Sequence, residues 1–166
     1  MNLNPNMSRL FKFTPVLILA LTLFSCDDND LMDQQTDFST VPDAPDTSDA
    51  ERIEKDNGLV IYIIEEGDGE FKASDRDQVL IRYTMRSLSN GEMEIHDSTW
   101  ANDETSPTEL NLATAIFGVR QGMQGMREGG ERVLIIPPEL AYEGQDEEFA
   151  DDTLHFHVEL EQVLDN

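Results

Sequence analysis

The chain has 166 residues, of which 11 are Lys or Arg and 35 are Asp or Glu, so its formal net charge is −24 at pH 7. A surface of this charge repels nucleic acid and anionic lipid headgroups, which excludes DNA, RNA and direct electrostatic membrane docking as modes of binding. The single cysteine excludes an internal disulfide, so stability must come from packing.

Residues 1–25 are predicted to be a secretory signal peptide. They contain two cations, no acidic residue and the apolar run 16–21, which is too short to span a bilayer comfortably. Cys26 follows a small residue and has a leucine three positions before it, which resembles the lipobox of bacterial lipoproteins apart from the bulky Phe24. The resemblance implies cleavage before Cys26 and its lipidation. An ordinary secretory signal or an uncleaved anchor is the alternative.

Residues 26–50 are predicted to be a disordered acidic tether, because Asp, Thr, Ser and Pro predominate and apolar periodicity is absent. The run 26–30, CDDND, resembles the acidic signal that some Gram-negative lipoproteins carry for export to the cell surface. A merely solvated linker is an equally good interpretation. Together with the lipobox-like Cys26, the sequence predicts an outer-membrane lipoprotein in the cell envelope, facing either the periplasm or the cell surface.

Residues 51–166 are long enough for one domain with a single core. Most of its apolar pattern is typical of strands, and the turn 89–91 (SNG) predicts a hairpin. Strands are predicted at 59–64, 79–85, 92–97, 132–136 and 153–160.

One stretch, 114–126 (TAIFGVRQGMQGM), has helical spacing at Ile116, Val119, Met123 and Met126. It also carries three glycines, each of which weakens a helix by about 1 kcal/mol relative to alanine. A short helix packed on an antiparallel sheet predicts the α+β class.

Five motifs in order resemble those of the FKBP-type peptidyl-prolyl cis-trans isomerases, and the resemblance extends over residues 57–166. The matching segments are Val79–Thr84, Asn90–Ser98, Ala115–Met123, Val133–Tyr142 and Thr153–Leu160. The resemblance implies an FKBP-like fold, with an antiparallel sheet of five to six strands wrapped around one short helix.

The same resemblance implies a reason for the glycines. Because the family's helix lies close to the sheet, Gly118 and Gly122 are expected to permit close backbone approach. The alternative is that they only loosen a marginal helix. Gly125 and the pair Gly129–Gly130 are interpreted as a helix stop.

The resemblance also implies a pocket for a proline-containing segment. Tyr142 would donate a hydrogen bond to the substrate carbonyl, and Ile116 would offer its backbone N–H. Tyr83 and Asp97 would form the polar side, hydrogen-bonded to each other, and Phe156 an aromatic wall. The remaining substrate-binding positions implied are His96, Leu110, Ala115 and Val119. For each residue, a satisfied position within the core is the alternative.

Four of these positions depart from the family. Val119 replaces a floor tryptophan, His96 and Leu110 replace wall phenylalanines, and Ala115 replaces a valine. Because large aromatic side chains dominate such pockets, a wider and wetter cavity is expected, with weak or lost activity as one consequence. His96 pointing to solvent is the alternative to a place at the pocket edge.

No cofactor and no metal are expected. His155 and His157 share a strand face, but two ligands alone make a poor site. The acidic run 145–152 lacks the ligand spacing of a calcium loop and is interpreted as a solvated flap over the pocket.

Two functions follow from the resemblance. The first is a lipid-anchored prolyl isomerase that assists the folding of exported proteins, with their proline-containing segments as partners. The second is a non-catalytic binding or chaperone-like module of the same fold, accessory to a cell-envelope machine.

Overall fold

The structure is a computed structural model and describes residues 36–89 and 91–164. The predicted signal peptide, Cys26 and residues 27–35 of the predicted tether lie outside the described residues. Within them, no helix is both long and apolar enough to cross a membrane.

Seven strands and one helix make up the domain, together with two short 3-10 turns at Ala101–Asp103 and Pro138–Leu140. The strands are β1 Glu51–Glu54, β2 Val60–Glu65, β3 Gln78–Ser89, β4 Glu92–Ser98, β5 Thr108–Asn111, β6 Glu131–Ile136 and β7 Leu154–Leu164, and the helix is α1 Phe117–Met123. The five predicted strands are confirmed. The sequence missed β1 and β5, because each strand has only four residues, of which two or three are exposed, and so gives no clear apolar alternation.

The strands form one antiparallel sheet in the order β1-β2-β6-β7-β3-β4. The 12-residue β3 pairs with β7 along one edge, and along the other it pairs with β4 and, nearer its start, with β5. The predicted α+β class is confirmed, with β5 as a short addition beside the six-stranded path.

The core lies between α1 and the inner face of this sheet. Along β7, Leu154, Phe156, Val158 and Leu160 are buried at alternate positions, as the period-two pattern predicts. From the helix side, α1 adds Val119 and Met123, and Met126 is buried just beyond its end. The core therefore packs the helix against the two central strands of the sheet, β6 and β7.

Two glycines set the distance between α1 and β6. A Cβ atom at Gly118 would lie 2.2 Å from Ile136 Cγ2, and one at Gly122 would lie 2.5 Å from Leu134 Cδ1. Real Cβ atoms do not approach other atoms this closely, so a side chain at either position would have to displace Ile136 or Leu134. The expected close approach is confirmed.

The other glycines serve different purposes. Gly125 follows the helix with a φ of +76°, as expected for a helix stop. The interpretation of Gly129–Gly130 as a helix stop was wrong, because α1 already ends at Met123. A Cβ at Gly130 would lie 2.8 Å from the Arg127 carbonyl oxygen, so this glycine serves a tight turn that leads into β6.

Residues 36–50, here called the strap, differ from the expected disordered tether. The Asn102 N–H donates to the Asp37 carbonyl oxygen at 2.8 Å, and Thr40 Oγ1 donates to the Trp100 carbonyl oxygen at 2.6 Å. Arg86 Nη2 donates to the Pro42 carbonyl oxygen at 2.6 Å. The sequence suggested disorder because the strap is poor in apolar residues. Its partners are polar groups elsewhere in the chain, which composition does not reveal.

Beneath the strap, the outer face of the sheet forms a recess of about 340 Å³. Its lining includes Ala44 and Pro45 from the strap and His155 and Arg86 from the sheet. Burial, and then the neighbouring Arg86 charge, lower the pKa of His155. The folded domain therefore favours neutral His155.

We expect Gly122→Ala to destabilise the domain by about 1–3 kcal/mol, because the added methyl group overlaps Leu134. Helix propensity alone predicts the opposite, a gain of about 1 kcal/mol. The free energy of unfolding, measured in urea for Gly122→Ala and the parent chain, distinguishes the expected loss from the gain. In a Leu134→Ala background the overlapping atoms are gone, so the same substitution should become neutral or stabilising. A gain in stability in the parent chain would contradict the packing described.

We also expect part of the acid sensitivity of the domain to come from His155. Its pKa is lower in the folded than in the unfolded chain, so the unfolded chain binds the proton first. Stability should fall as pH drops below the unfolded value of about 6.5, and the fall should level off below the folded pKa. Unfolding of His155→Gln between pH 7.5 and 5 should show a shallower slope than the parent chain. Equal slopes would exclude His155 as the source.

Candidate functional site

A cavity of about 640 Å³ opens between the sheet, the start of α1 and the turn after Pro138–Leu140. Its lining residues are Ile81, Tyr83, Asp97, Thr108, Glu109, Leu110, Thr114, Ala115, Ile116, Val119, Ala141, Tyr142, Gln145 and Phe156. Eight of the nine pocket positions implied by the sequence are among them. The hollow expected over the helix is therefore present and open.

The floor of the cavity is formed where α1 begins. Ile116 immediately precedes the helix in an extended conformation, and Val119 lies one turn later with 2% of its surface exposed. Neither Phe117, which is 43% exposed, nor Met123, which is fully buried in the core, lines the cavity in place of the absent tryptophan. At this point the floor of the cavity is the side chain of Val119 itself.

Tyr83 and Asp97 form the polar side of the cavity. The Tyr83 hydroxyl donates a hydrogen bond to the Asp97 carboxylate, as expected, and the Tyr83 ring stacks on Phe156 with centroids 5.1 Å apart. Burial, and then the hydrogen bond and charge of Asp97, raise the pKa of Tyr83. Tyr83 is thus a neutral phenol held between a carboxylate and an aromatic wall.

Two donors at the cavity have no partner in the part of the chain that the structure describes. These are the Tyr142 hydroxyl and the Ile116 backbone N–H. The Tyr142 ring meets Phe149 edge-on, with centroids 5.3 Å apart. Burial, and then the charges of Glu147 and Asp97, raise the pKa of Tyr142, so its proton stays in place. The arrangement suits the binding of a carbonyl oxygen.

The expectation for His96 was wrong, since this residue does not line the cavity. Its ring packs on Phe149, with centroids 4.3 Å apart, and its Nε2 is 2.8 Å from Ser87 Oγ. The pairing of β3 with β4 skips His96, so it occupies a β-bulge. The alternative of a free, solvent-facing ring is wrong as well. The position of the ring depends on the bulge in β4 and on its contact with the flap, residues 145–152. Neither the bulge nor this contact can be predicted from the sequence pattern.

Phe149 is a residue of this site that sequence reasoning missed. It is the single aromatic residue in the acidic flap, residues 145–152, and it packs against both His96 and Tyr142. Asp152, at the end of the flap, accepts a hydrogen bond from Ser87 Oγ at 3.2 Å. An isolated aromatic residue in an otherwise polar loop was the available signal.

The residues contributed by β5 were also missed, apart from Leu110. Thr108 and Glu109 line the cavity because β5 pairs with the first part of β3. Gln145, at the start of the flap, lines it from the other side. A strand of four residues with two exposed positions left no pattern by which to place them.

The outer face of the sheet carries a second polar cluster. His155 and His157 alternate with buried Phe156, as expected. Glu131, His157 and Glu159 bring three potential ligand atoms within 4.8 Å of one another, but Glu131 and His157 already form a 2.8 Å hydrogen bond. The sequence missed this group because Glu131 comes from β6.

Comparison with known proteins identifies the cavity-bearing domain. Residues 69–161 match the family model described as FKBP-type peptidyl-prolyl cis-trans isomerase. The chain belongs to this family. The match covers every lining residue of the cavity.

Several relatives share this FKBP domain. Peptidyl-prolyl cis-trans isomerase Mip of Chlamydia muridarum is 37% identical over 110 residues, which cover 66% of this chain and 43% of that protein. A probable FK506-binding protein of Corynebacterium glutamicum is 38% identical over 104 residues, which cover 61% of this chain and 84% of that protein. The chain thus spans less than half the length of the Mip proteins that it matches.

Solved structures agree with the fold. The crystal structure of FkpA from Escherichia coli has a TM-score of 0.59 and 31% identity, and the match covers 68% of this chain and 51% of that one. The N-terminal domain of FKBP42 from Arabidopsis thaliana has a TM-score of 0.60 at 23% identity and covers 75% of this chain and all of that one, a likeness of fold alone.

We expect Tyr83→Phe to cost the FKBP domain about 1.5 kcal/mol of stability, because it removes a hydrogen bond to a carboxylate but keeps the stack on Phe156. The cost should lie near the lower end for charged acceptors, since Asp97 is exposed. A double-mutant cycle with Asp97→Ala, measured by urea unfolding at pH 7, isolates the pair. Additive effects of the two substitutions would contradict the interaction.

Proposed function

We propose that this FKBP domain catalyses the cis-trans isomerisation of prolyl peptide bonds in exported proteins, and that a lipid on Cys26 holds it in the cell envelope. The observation that carries the catalytic part is the cavity itself, with its apolar floor and two donors free to bind a carbonyl. The family to which the domain belongs supports the same reaction.

The reaction requires little special chemistry. A prolyl bond isomerises over a barrier of about 18–20 kcal/mol, because twisting the bond destroys amide resonance. The twisted amide is less charge-separated than the planar one, so an apolar, water-poor cavity favours the transition state over the ground state. Neither a covalent intermediate nor a metal ion is needed for this step.

Each wall of the cavity has a part in this mechanism. The prolyl ring would pack between Phe156, Ile116 and Val119, which are apolar and mostly buried. The carbonyl oxygen would accept hydrogen bonds from the Tyr142 hydroxyl and the Ile116 N–H. Tyr83, fixed by Asp97 and by its stack on Phe156, would keep the aromatic wall rigid.

Val119 and Leu110 argue for slow catalysis. Aromatic side chains bury about 150–250 Å² each, and a smaller residue grips the prolyl ring over less area. Each loss of about 1.4 kcal/mol in transition-state binding lowers the rate about tenfold. The same observation supports the second candidate, a module that binds proline-containing segments without catalysing their isomerisation.

The cell-envelope part of the proposal rests on the sequence before the domain. The apolar run, the lipobox-like residues before Cys26 and the acidic residues after it support an outer-membrane lipoprotein. Incorporation of a labelled fatty acid into the expressed chain, and its loss in Cys26→Ala, would test the anchor. Labelling that survives Cys26→Ala would contradict lipidation at this residue.

We expect the full chain, purified in detergent, to accelerate isomerisation of an Ala-Pro tetrapeptide in a protease-coupled assay. Tyr142→Phe should lower kcat/KM by about tenfold, since it removes a donor to the carbonyl. Val119→Trp should raise kcat/KM by up to about tenfold by narrowing the cavity floor.

Phe71→Ala is a suitable control, because Phe71 is 51% exposed and lies outside the cavity lining. It should leave the rate unchanged. A folded chain with no rate above the uncatalysed reaction would reject catalysis. Peptide binding that persisted in that sample, and weakened in Tyr142→Phe, would then favour the binding module.

A further inference from the structure

The charges around the cavity are all of one sign. Asp97 and Glu109 line it, and no Lys, Arg or His is among the 14 lining residues. The described part of the chain contains nine Lys and Arg residues, so cations are available in the domain but lie elsewhere. The site for the substrate is therefore bordered by carboxylates alone.

No cation contacts these carboxylates in the described part of the chain. Asp97 accepts its hydrogen bond from an uncharged group, the hydroxyl of Tyr83. Glu109 is exposed on β5 and forms no ion pair within the residues described. Neither charge is offset by a neighbouring cation.

The flap adds further negative charge next to the donor. Asp146, Glu147 and Glu148 are exposed along it, and Gln145 at its start lines the cavity. After burial, the charges of Glu147 and Asp97 both contribute to the raised pKa of Tyr142, which agrees with their positions on the flap and on β4 beside the cavity. A substrate carbonyl bound at Tyr142 would bring its flanking residues between these carboxylates.

We propose that this acidic rim, defined by Asp97, Glu109 and Glu147, selects proline segments with Lys or Arg next to the proline and disfavours segments with Asp or Glu there. The inference rests on the proposed function and names the substrate class of the same site. Carboxylates around an apolar cleft concentrate cationic ligands, because the low-dielectric walls focus the field. Like charges brought together cost binding energy, which adds discrimination against acidic segments.

The test compares three tetrapeptides, Ala-Lys-Pro-Phe, Ala-Ala-Pro-Phe and Ala-Glu-Pro-Phe, with the full chain in detergent. Exposed ion pairs contribute little individually, so we expect kcat/KM for the Lys peptide to exceed that for the Glu peptide by about five- to tenfold at 0.01 M salt. The difference should shrink to less than about twofold at 1 M salt, where the Debye length is only about 3 Å. The Ala peptide should lie between them.

Matched variants distinguish the effect of the rim carboxylates on peptide preference from the effect of the net charge of the chain. Glu109→Gln and Glu147→Gln should each reduce the Lys-to-Glu ratio by about two- to threefold. Glu51→Gln removes the same charge from the exposed strand β1, outside the cavity lining, and should leave the ratio unchanged. Equal effects of all three would assign the preference to net charge and overturn the role of the rim.

The failures of the two proposals are distinguishable. If the Ala peptide is isomerised but the three peptides react equally, the charge inference fails and the proposed function stands. If no peptide is isomerised, binding of the same peptides, labelled with a fluorophore, still tests the rim. The rim proposal is supported if the Lys peptide binds more tightly than the other two and this advantage weakens in Glu109→Gln. Equal binding of all three peptides overturns the proposal.

Discussion

The close approach of α1 to β6 is the constraint on which the rest of the site depends. Gly118 and Gly122 let the helix backbone lie against Ile136 and Leu134, with no room for a side chain between them. A helix held further out would move Ile116 and Val119, and with them the cavity floor. The two glycines weaken the helix as a local element, and packing against the sheet compensates for that weakness.

A second constraint fixes the wall opposite the floor. Tyr83 stacks on Phe156 and is hydrogen-bonded to Asp97, so one side chain joins β3, β4 and β7 at the edge of the cavity. The aromatic surface lies on the cavity side, and the carboxylate stays at the exposed rim. The arrangement places an apolar aromatic wall next to a charged border at the edge of the cavity.

His96 contacts the flap and does not line the cavity. Where the family resemblance implies an aromatic wall residue, this chain has a histidine, whose ring packs on Phe149 of the flap. Phe149 in turn contacts the edge of Tyr142. The flap is thereby tied to the β3–β4 hairpin next to the donor hydroxyl, and the cavity loses one aromatic wall in exchange.

The sequence by itself determined the class of the fold, five of its seven strands and the helix, because these features depend on local apolar periodicity. Its motifs also resemble those of the FKBP family, and that resemblance implied nine cavity positions, of which eight line the cavity. Only the tertiary structure decided the position of His96, the contribution of β5 to the cavity, the course of the strap and the hydrogen bond between Glu131 and His157. Each of these depends on a bulge, an edge pairing or a polar contact between residues that are distant in the chain. No local sequence pattern encodes such contacts.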